Sequence, residues 1–550
     1  MAKNIFFLFL FFYLVGVSAQ EHAWVYFKDK VGVSEALANP ESILSARALA
    51  RKNKFGIPID NRDVPVNENY IAQVKSQTGI TVKAKSKWFN CVHVIGSIDD
   101  IATLSNLDFV DQISYADRSL NTKIGPSFKS KIKPDNHTHK FLAQKANFIY
   151  GQSQAQVTQL KVESLHQSNY TGEGFWIAVM DGGFPNVDQL AAFSRLRNNN
   201  DLLGGYDFVG RTTNIYRPDG DSHGTRVLSD MGGYIENQFV GTAPDASYML
   251  FRTEDDATET PVEESYWVEA AERADSLGID LINTSLGYST FDNPNYNYTP
   301  AEMDGSTTFI SKGANIATEK GILVVNSAGN SGSSSWGVVT APADANVYTV
   351  GAVDMDGTYV SFSSRGPNAQ GTVKPDGMAM GRNSAVVDEN NAVVRNNGTS
   401  FSSPIMAGAI ASFWGALPDK TNLEIMQLVR ESSSLFQSPN SQMGYGIPNF
   451  EMALTLNGID MQQGGGEVIG ENTLDYILFP NPMETNVQIQ LPLGATTAIL
   501  KLYDVYGKRI LEKQITETDN QISVEQFSRA MYIVQLEMEG ISKEYKMIKK

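Results

Sequence analysis

The sequence predicts an α/β fold: a parallel sheet with helices on both faces, preceded by a small α+β unit and followed by a C-terminal β-sandwich. Three observations carry this reading. From about Gly151 to Leu456, short apolar runs ("FWIAVM", "ASYMLFRT", "IDLINTSLG", "GILVVNSAG", "VYTVGAVD") alternate with helical stretches. Near-continuous apolar strands separated by helices belong to a parallel sheet covered on both sides. Ahead of this region lies a mixture of strand and helix patterns, and behind it come short alternating strands separated by turn residues.

Taken in order, the chain opens with "MAKNIFFLFLFFYLVGVSAQ", where Lys3 precedes an unbroken apolar run from Ile5 to Val17 and the small-residue pattern Val17-Ser18-Ala19. This is the pattern of a secretory signal at residues 1–19, cleaved after Ala19, and the run is too short for a membrane anchor. Residues 20–145 read as one region. In it "HAWVYFKD" is strand-like, "PESILSARALARKNKFG" and "NENYIAQVKSQTG" are helical, and "ITVKAKSKWFNCVHVIG", "IDDIATLSNL" and "VDQISYA" complete the α+β unit. The polar, basic stretch "DRSLNTKIGPSFKSKIKPDNHTHK" that ends it is an exposed connection open to proteolysis. The large domain is placed at 146–457, a Gly-rich linker at 458–471 ("GIDMQQGGGEVIGEN" marks it), and the β-sandwich at 472–550.

Composition narrows the function. A formal charge of −17 and a pI near 4.9 argue against nucleic-acid or anionic-membrane surfaces, which need clustered positive charge. No later segment is long and apolar enough to span a membrane. The single cysteine, Cys91, excludes an intramolecular disulfide, and beside His93 in an alternating run it reads as strand packing.

Serine chemistry requires a base and a third group to orient that base. Six histidines occur: His22, His93, His137 and His139 precede the large domain, His166 lies in the approach to its first strand, and His223 alone stands inside it. His223 sits in "DGDSHGTRVLSDMGG", where a polar loop meets a small-residue helix. Asp181 ends the strand "FWIAVM", and the carboxyl ends of buried parallel strands are where sites in open α/β sheets collect. By itself Asp181 is equally a turn former, and a lone histidine such as His223 is more often a helix-cap or core residue than a catalyst. Neither Gly-rich turn is a nucleotide loop, because the third glycine and the Gly-Lys-Ser/Thr ending are missing. Asn330, in "GILVVNSAGNSGSSSWG", offers a side-chain amide to an oxyanion or is simply a turn residue. The row "NNGTSFSSPIMAG" presents Thr399, Ser400, Ser402 and Ser403. Helix capping is the expected role of all but Ser400, with proline tolerated near the helix start.

Asp181, His223, Asn330 and Ser400 follow one another in the subtilisin order of Asp, His and Ser, and no Gly-x-Ser-x-Gly elbow occurs in the large domain. "IAVMDGGF", "DSHGTRVLSDMGG" and "NGTSFSSPIMAG" resemble the three catalytic motifs of the subtilases. "GTAPDA", "NTSLGY", "VVNSAGNSG" and "SFSSRGP" resemble further landmarks in the expected order, from about Tyr150 to Leu456. Two departures concern local contacts: Gly182 stands where Ser or Thr is common, and Arg226 where a second histidine is frequent.

The resemblance implies a subtilisin-like sheet and a serine endopeptidase acting on protein or peptide substrates. Ser400 is then the nucleophile, His223 the base, Asp181 its orienting group and Asn330 an oxyanion donor. Ser285-Leu286-Gly287 and Ser327-Ala328-Gly329 resemble the segments that flank the specificity pocket. The unit before the large domain resembles the pro-region of a self-processed precursor, which inhibits its own enzyme. The last eighty or so residues, with "LFPNPMETNVQIQLP", "LYDVYGKRI" and "MYIVQLEMEG", resemble the sorting domain of the type IX secretion system, implying a secreted or surface-attached protein. A carbohydrate-binding sandwich is the rival for that domain.

No cofactor or metal is required for this chemistry. Structural calcium is compatible with acidic loops such as "EDDATETPVEE", although such runs are usually just solvated. The alternative function is an inactive subtilase-like surface binding or structural protein, disfavoured by the intact Asp181, His223, Asn330 and Ser400. A zinc hydrolase is excluded by the shortage of histidines and the missing His-Glu-x-x-His. Asn283-Thr-Ser and Asn397-Gly-Thr are formal glycosylation sequons against the expected cleft, which fits a secretory route that leaves them unmodified.

Overall fold

Along the strand Trp176–Asp181, Ile177 and Val179 face one apolar cluster while Ala178 and Met180 face another, so both surfaces of the sheet are buried. This is why the run is apolar without alternation. In the computed structural model, which describes residues 20–121, 148–459 and 477–550 apart from 480–482, 484, 492–495, 505–507, 517 and 539–540, the strand lies inside a seven-stranded sheet. The strand order is Gly377–Met380, Tyr348–Val353, Leu323–Ser327, Leu281–Thr284, Trp176–Asp181, Ser247–Arg252 and Leu202–Asp207, every pairing parallel. The expected signal peptide, most of the exposed connection with His137 and His139, and nearly all of the Gly-rich linker lie outside the described residues.

One helix dominates one face of the sheet. Thr399–Ala416 is buried from Phe401 to Trp414, and it is apolar all round, as a helix enclosed on every side must be. Ile405, Ile410 and Phe413 join Ile177, Leu281 and Val325 in the larger cluster. On the other face, Val262–Leu277 and Phe309–Glu319 pack Trp267, Val268, Ile310 and Ala314 against Met180, Ile282 and Val324.

The N-terminal unit is a four-stranded antiparallel sheet, in the order Thr81–Ser86, Cys91–Gly96, Glu21–Phe27, Val110–Tyr115. Its helices Ala46–Lys54 and Glu68–Lys75 fall inside the predicted helical stretches. Cys91 is buried and its thiol is raised well above the usual range by that burial, as expected of a strand residue without chemistry.

This unit is docked on the helix Val262–Leu277. Trp24 Nε1 donates to Ser265 Oγ at 2.8 Å, and the Glu272 carboxylate accepts from Ser86 Oγ, Lys87 N and Trp88 N at 2.5, 2.8 and 2.9 Å. Four buried charges alternate across the boundary: Lys52 lies 2.9 Å from Asp275 and 3.3 Å from Asp63, and Asp63 lies 2.7 Å from Lys320. Asp275 also pairs with Arg51 at 2.7 Å and Lys320 with Asp60 at 3.2 Å, so the boundary is closed by a network of buried ion pairs whose members lie on both sides of it.

The C-terminal unit, described by itself, has two antiparallel sheets, one of three strands and one of four. Val487 and Ile489 of the first share a core with Leu500, Leu502, Val534 and Leu536 of the second, the arrangement of a sandwich. Among the described residues, no helix is long and apolar enough to cross a membrane.

Candidate active site

Asp181 is the last residue of its strand and its side chain is fully buried. Oδ1 accepts from the Gly182 amide and from His223 Nδ1, at 2.8 and 2.7 Å. His223 is the first residue of the helix His223–Gly232, with its side chain partly exposed. The helix comes this close because its second residue is Gly224, where a Cβ would stand 2.4 Å from the Gly183 carbonyl oxygen and 2.9 Å from Asp181 Cβ. Gly182 has a similar reason: a Cβ there would lie 2.5 Å from Asp221 Oδ2. The family's usual Ser or Thr would require the Asp221 carboxylate to move aside. Arg226, in place of the second histidine, pairs with Glu389 at 3.0 Å.

Burial pulls the His223 imidazolium down, but the Asp181 carboxylate outweighs it, with help from Asp221, and the pKa stands above its ordinary value. The ring is 5.7 Å from that of Phe401, which places it over the start of the serine helix.

That helix is entered through Gly398 at φ 146°, backbone that side chains rarely adopt, and as a glycine this N-cap residue gives no side-chain bond. The capping expected of Thr399, Ser402 and Ser403 is therefore not what they do. The Thr399 amide and Oγ1 both bond Asn330 Oδ1, at 2.9 and 3.0 Å, and Thr399 Oγ1 accepts from the Gly329 amide at 3.2 Å. Ser403 Oγ donates to Asn283 Oδ1 at 2.9 Å. Ser402 Oγ is buried without a partner among the described residues. With its oxygen held twice, Asn330 has its NH2 turned toward Gly398, where a Cβ would lie 3.7 Å from Nδ2.

Ser400 lies one turn before Pro404, which has no N–H to give the Ser400 carbonyl. Ser285 Oγ supplies that bond at 2.8 Å. The Ser400 hydroxyl in turn donates to the Ser285 carbonyl at 3.2 Å, and among the described residues no hydrogen bond joins it to His223. The structure thus brings Asp181, His223, Ser400, Asn330 and Ser285 together at the carboxyl ends of the strands. Leu286-Gly287 and Ser327-Ala328-Gly329 continue the two central strands at the same edge.

Thr399 and Ser285 had roles that motif reading missed. The signal available was the hydroxyl next to the serine and the proline four residues after it. Asn283 is buried, with both amide atoms engaged by Ser403 and Ser285, so its sequon is closed to a glycan in the fold. His166 is also buried, between the Tyr150 hydroxyl and the Thr242 carbonyl at 2.9 and 3.0 Å, a packing role.

The acidic loop folds so that Glu254, Glu259 and Glu263 bring oxygens within 4.8 Å of one another. Glu263 also accepts from the Asp255 and Thr260 amides, each at 2.9 Å, and Tyr288 donates its hydroxyl to Glu254. Burial pushes all three carboxyls up, Glu259 to about 7 and Glu263 to about 8, and Glu254 is raised further by its two companions. This is the cluster among the described residues that can hold a metal ion.

An acid paired with an imidazole, near a serine at a helix start, fits a serine-type peptidase, and comparison with known proteins gives the family. The subtilase family profile matches residues 172–446, half of the chain, and the chain belongs to the subtilase family. Residues 22–136 match the Peptidase S8 propeptide domain of Bacteroidota, and residues 477–550 the secretion system C-terminal sorting domain. Subtilisin E of Bacillus subtilis (strain 168) is 31% identical over 304 residues, covering 54% of this chain and 70% of its own. Serine protease AprX of the same organism is 27% identical over 312 residues, 51% and 66% of the two chains. Among solved structures, MycP1 from Mycobacterium smegmatis aligns with a TM-score of 0.43 at 22% identity, covering 60% of this chain and 91% of its own. The protein is a serine endopeptidase made as a precursor, with its own pro-region as intramolecular inhibitor and a sorting domain for export by the type IX secretion system.

Proposed function

We propose that Ser400, His223 and Asp181 form the catalytic triad, with Asn330 and the Ser400 amide as the oxyanion hole. The observation that carries the reading is the 2.7 Å bond from His223 Nδ1 to the buried Asp181, which directs the other ring nitrogen toward the serine helix. Rotation of the Ser400 side chain away from the Ser285 carbonyl frees its hydroxyl for that nitrogen, and such bonds commonly tighten only when substrate is bound. Ser400 Oγ then attacks the peptide carbonyl as His223 Nε2 takes its proton. The carbonyl electron pair moves onto oxygen, facing Asn330 Nδ2 and the Ser400 amide. His223 returns the proton to the leaving amine, and water repeats the cycle on the acyl-enzyme. Asp181 holds the tautomer and stabilises the transient imidazolium.

Ser285-Leu286-Gly287 and Ser327-Ala328-Gly329 are the walls beside the scissile bond, where small residues let a substrate strand approach. The functional divisions are a signal at 1–19, a pro-region at 20–145, a catalytic domain at 146–457, a linker at 458–471 and a sorting domain at 472–550. The family matches at 22–136, 172–446 and 477–550 support them. No cofactor enters the reaction. A structural calcium belongs at Glu254, Glu259 and Glu263, whose all-oxygen donors suit a hard cation.

The test compares wild type with Ser400→Ala, using a serine-reactive fluorophosphonate. Labelling and loss of the pro-region are expected in wild type only. Wild type that stays unlabelled and unprocessed would return the inactive binding module.

A further inference from the structure

One side chain of the pro-region ends in a site built by the catalytic domain. Arg118 opens the short helical turn Arg118–Leu120, inside the stretch 22–136 that matches the propeptide domain. Its Nη1 donates to the Tyr296 carbonyl at 3.2 Å and its Nη2 to the Asn297 carbonyl at 2.6 Å. Nε and Nη2 meet the two Glu302 carboxylate oxygens at 3.1 and 3.3 Å, and the guanidinium carbon lies 4.8 Å from the centre of the Tyr298 ring. A carboxylate engaged through both oxygens, two carbonyls and an aromatic face suit the planar fork of arginine, and the point charge of lysine cannot use them all.

The site keeps its shape through bonds that do not involve Arg118. Asn297 Oδ1 accepts from the Phe291 amide at 2.7 Å, the Tyr298 amide donates to the Ser289 carbonyl at 2.9 Å, and the Tyr298 hydroxyl donates to Glu264 at 2.8 Å. Glu302 is held by the Thr299 amide and hydroxyl at 2.8 and 2.9 Å. All these residues lie within 172–446, the subtilase match, so departure of the pro-region removes the donor and leaves the acceptors in place. The site also stands close to the cleft: Ser289, which holds Tyr298, is two residues past Gly287, at most about 7 Å of chain. Among the described residues no hydrogen bond runs from the pro-region to Ser285–Gly287 or Ser327–Gly329, so Arg118 binds apart from those segments.

We propose that in the processed enzyme this is an exosite, which binds an arginine side chain of the polypeptide substrate outside the residues that flank the scissile bond. Pro-region and substrate compete for it: Arg118 fills it in the precursor, and the freed enzyme uses it to hold a chain whose scissile bond lies in the cleft. A second contact on the same chain raises the local concentration of the scissile segment, so the gain falls on KM and not on kcat. The inference needs only the departure of the pro-region and goes beyond the assignment of the triad.

The experiment uses the processed protein freed of its pro-region and titrated with the fluorophosphonate. Quenched peptides share one cleavable core and carry arginine, lysine or citrulline at successive distances ahead of it; citrulline keeps the shape of arginine and removes the charge. At the distance that reaches the site, arginine is expected to lower KM about tenfold against citrulline at equal kcat, the scale of hydrogen bonds to a charged group, with lysine close to citrulline. Glu302→Gln, which keeps an oxygen for Thr299, is expected to bring the arginine-to-citrulline ratio to about one. Equal KM for the two peptides at every distance overturns the inference, as does an arginine preference that survives Glu302→Gln. A lysine peptide as good as the arginine one overturns the guanidinium assignment. A second readout does not depend on Ser400: in the uncut double variant Arg118→Ala, Ser400→Ala, ethylguanidinium should raise the Tm toward that of Ser400→Ala, and should not do so once Glu302→Gln is added. Failure of that rescue overturns the site, whereas rescue in a protein whose wild type does not label overturns the triad reading alone.

Discussion

Thr399→Val tests whether the oxyanion donor is held in place by the residue before the nucleophile. Asn330 Oδ1 receives two bonds, 2.9 Å from the Thr399 amide and 3.0 Å from its hydroxyl. Valine keeps the shape and the amide but removes the hydroxyl. A neutral hydrogen bond is worth about 0.5–1.5 kcal/mol net, so the productive orientation of Asn330 should lose about 1 kcal/mol, roughly fivefold in kcat. The ceiling is total loss of the donor, for which the figure borrowed from subtilisin, a member of the same family, is about 2.7–4 kcal/mol. The Gly329 amide also loses its acceptor, so stability should fall by about 1–3 kcal/mol. The assay is a double-mutant cycle in kcat with Asn330→Ala, measured well below the melting temperature. Thr399→Val should cost about fivefold with Asn330 present and nothing further with Asn330→Ala. An equal loss in both backgrounds would refute the idea that Thr399 acts through Asn330.

Three other outcomes are expected. Because Asp181 holds the His223 pKa above its ordinary value and the base works neutral, kcat/KM should rise with pH through a value above about 6.5. Asp181→Asn should lower that midpoint and reduce kcat about 10⁴-fold, as a pH–rate profile will show. At the pro-region boundary, His22 Nδ1 and His93 Nε2 are 3.0 Å apart, and His93 Nδ1 is 2.8 Å from Ser265 Oγ. Burial, then Lys83, brings His22 to about 4, and burial, then His22 and Lys83, puts His93 well below its usual value. The groups around them are the Trp24 and Tyr296 rings, and Glu21 on the Tyr296 hydroxyl. Lowered histidines favour the docked state fully above pH 6.5 and lose that contribution as pH falls toward 4, about 3 kcal/mol for His22. The cut pro-region should therefore stay bound at pH 7.5 and leave at pH 4.5 on size-exclusion chromatography, with retention at both pH values counting against the histidines. Last, the raised carboxyls of Glu259 and Glu263 stabilise the fold below about pH 4 and lose that contribution as pH rises through about 7–8. Without added cation the melting temperature should fall over that range. Calcium at about a hundred times its Kd should restore about 2.7 kcal/mol, and a calcium-insensitive melting curve would remove the site.

Much of the site could be read in the chain because the chemistry is written locally. Asp181 ends an apolar run, His223 and Ser400 begin small-residue helices, and Pro404 stands four residues after the serine. The strands were legible for the same reason: a strand buried on both faces must be apolar throughout, and the sheet puts Ile177 and Ala178 on opposite clusters. The hydroxyl row was less legible. Capping is a local property, but Thr399, Ser403 and Ser285 make their bonds to Asn330, Asn283 and Ser400, partners 69, 120 and 115 residues away.

The sequence by itself determined the class of protein, the order of its parts and which acid, imidazole and hydroxyl can meet, since strand ends and helix starts are set by neighbouring residues. Only the tertiary structure decided what each hydroxyl does, why Gly224 must be glycine, and that the Asp221 carboxylate crowds Gly182. Those facts depend on how closely separate segments approach across the sheet, a distance set by packing of the whole core.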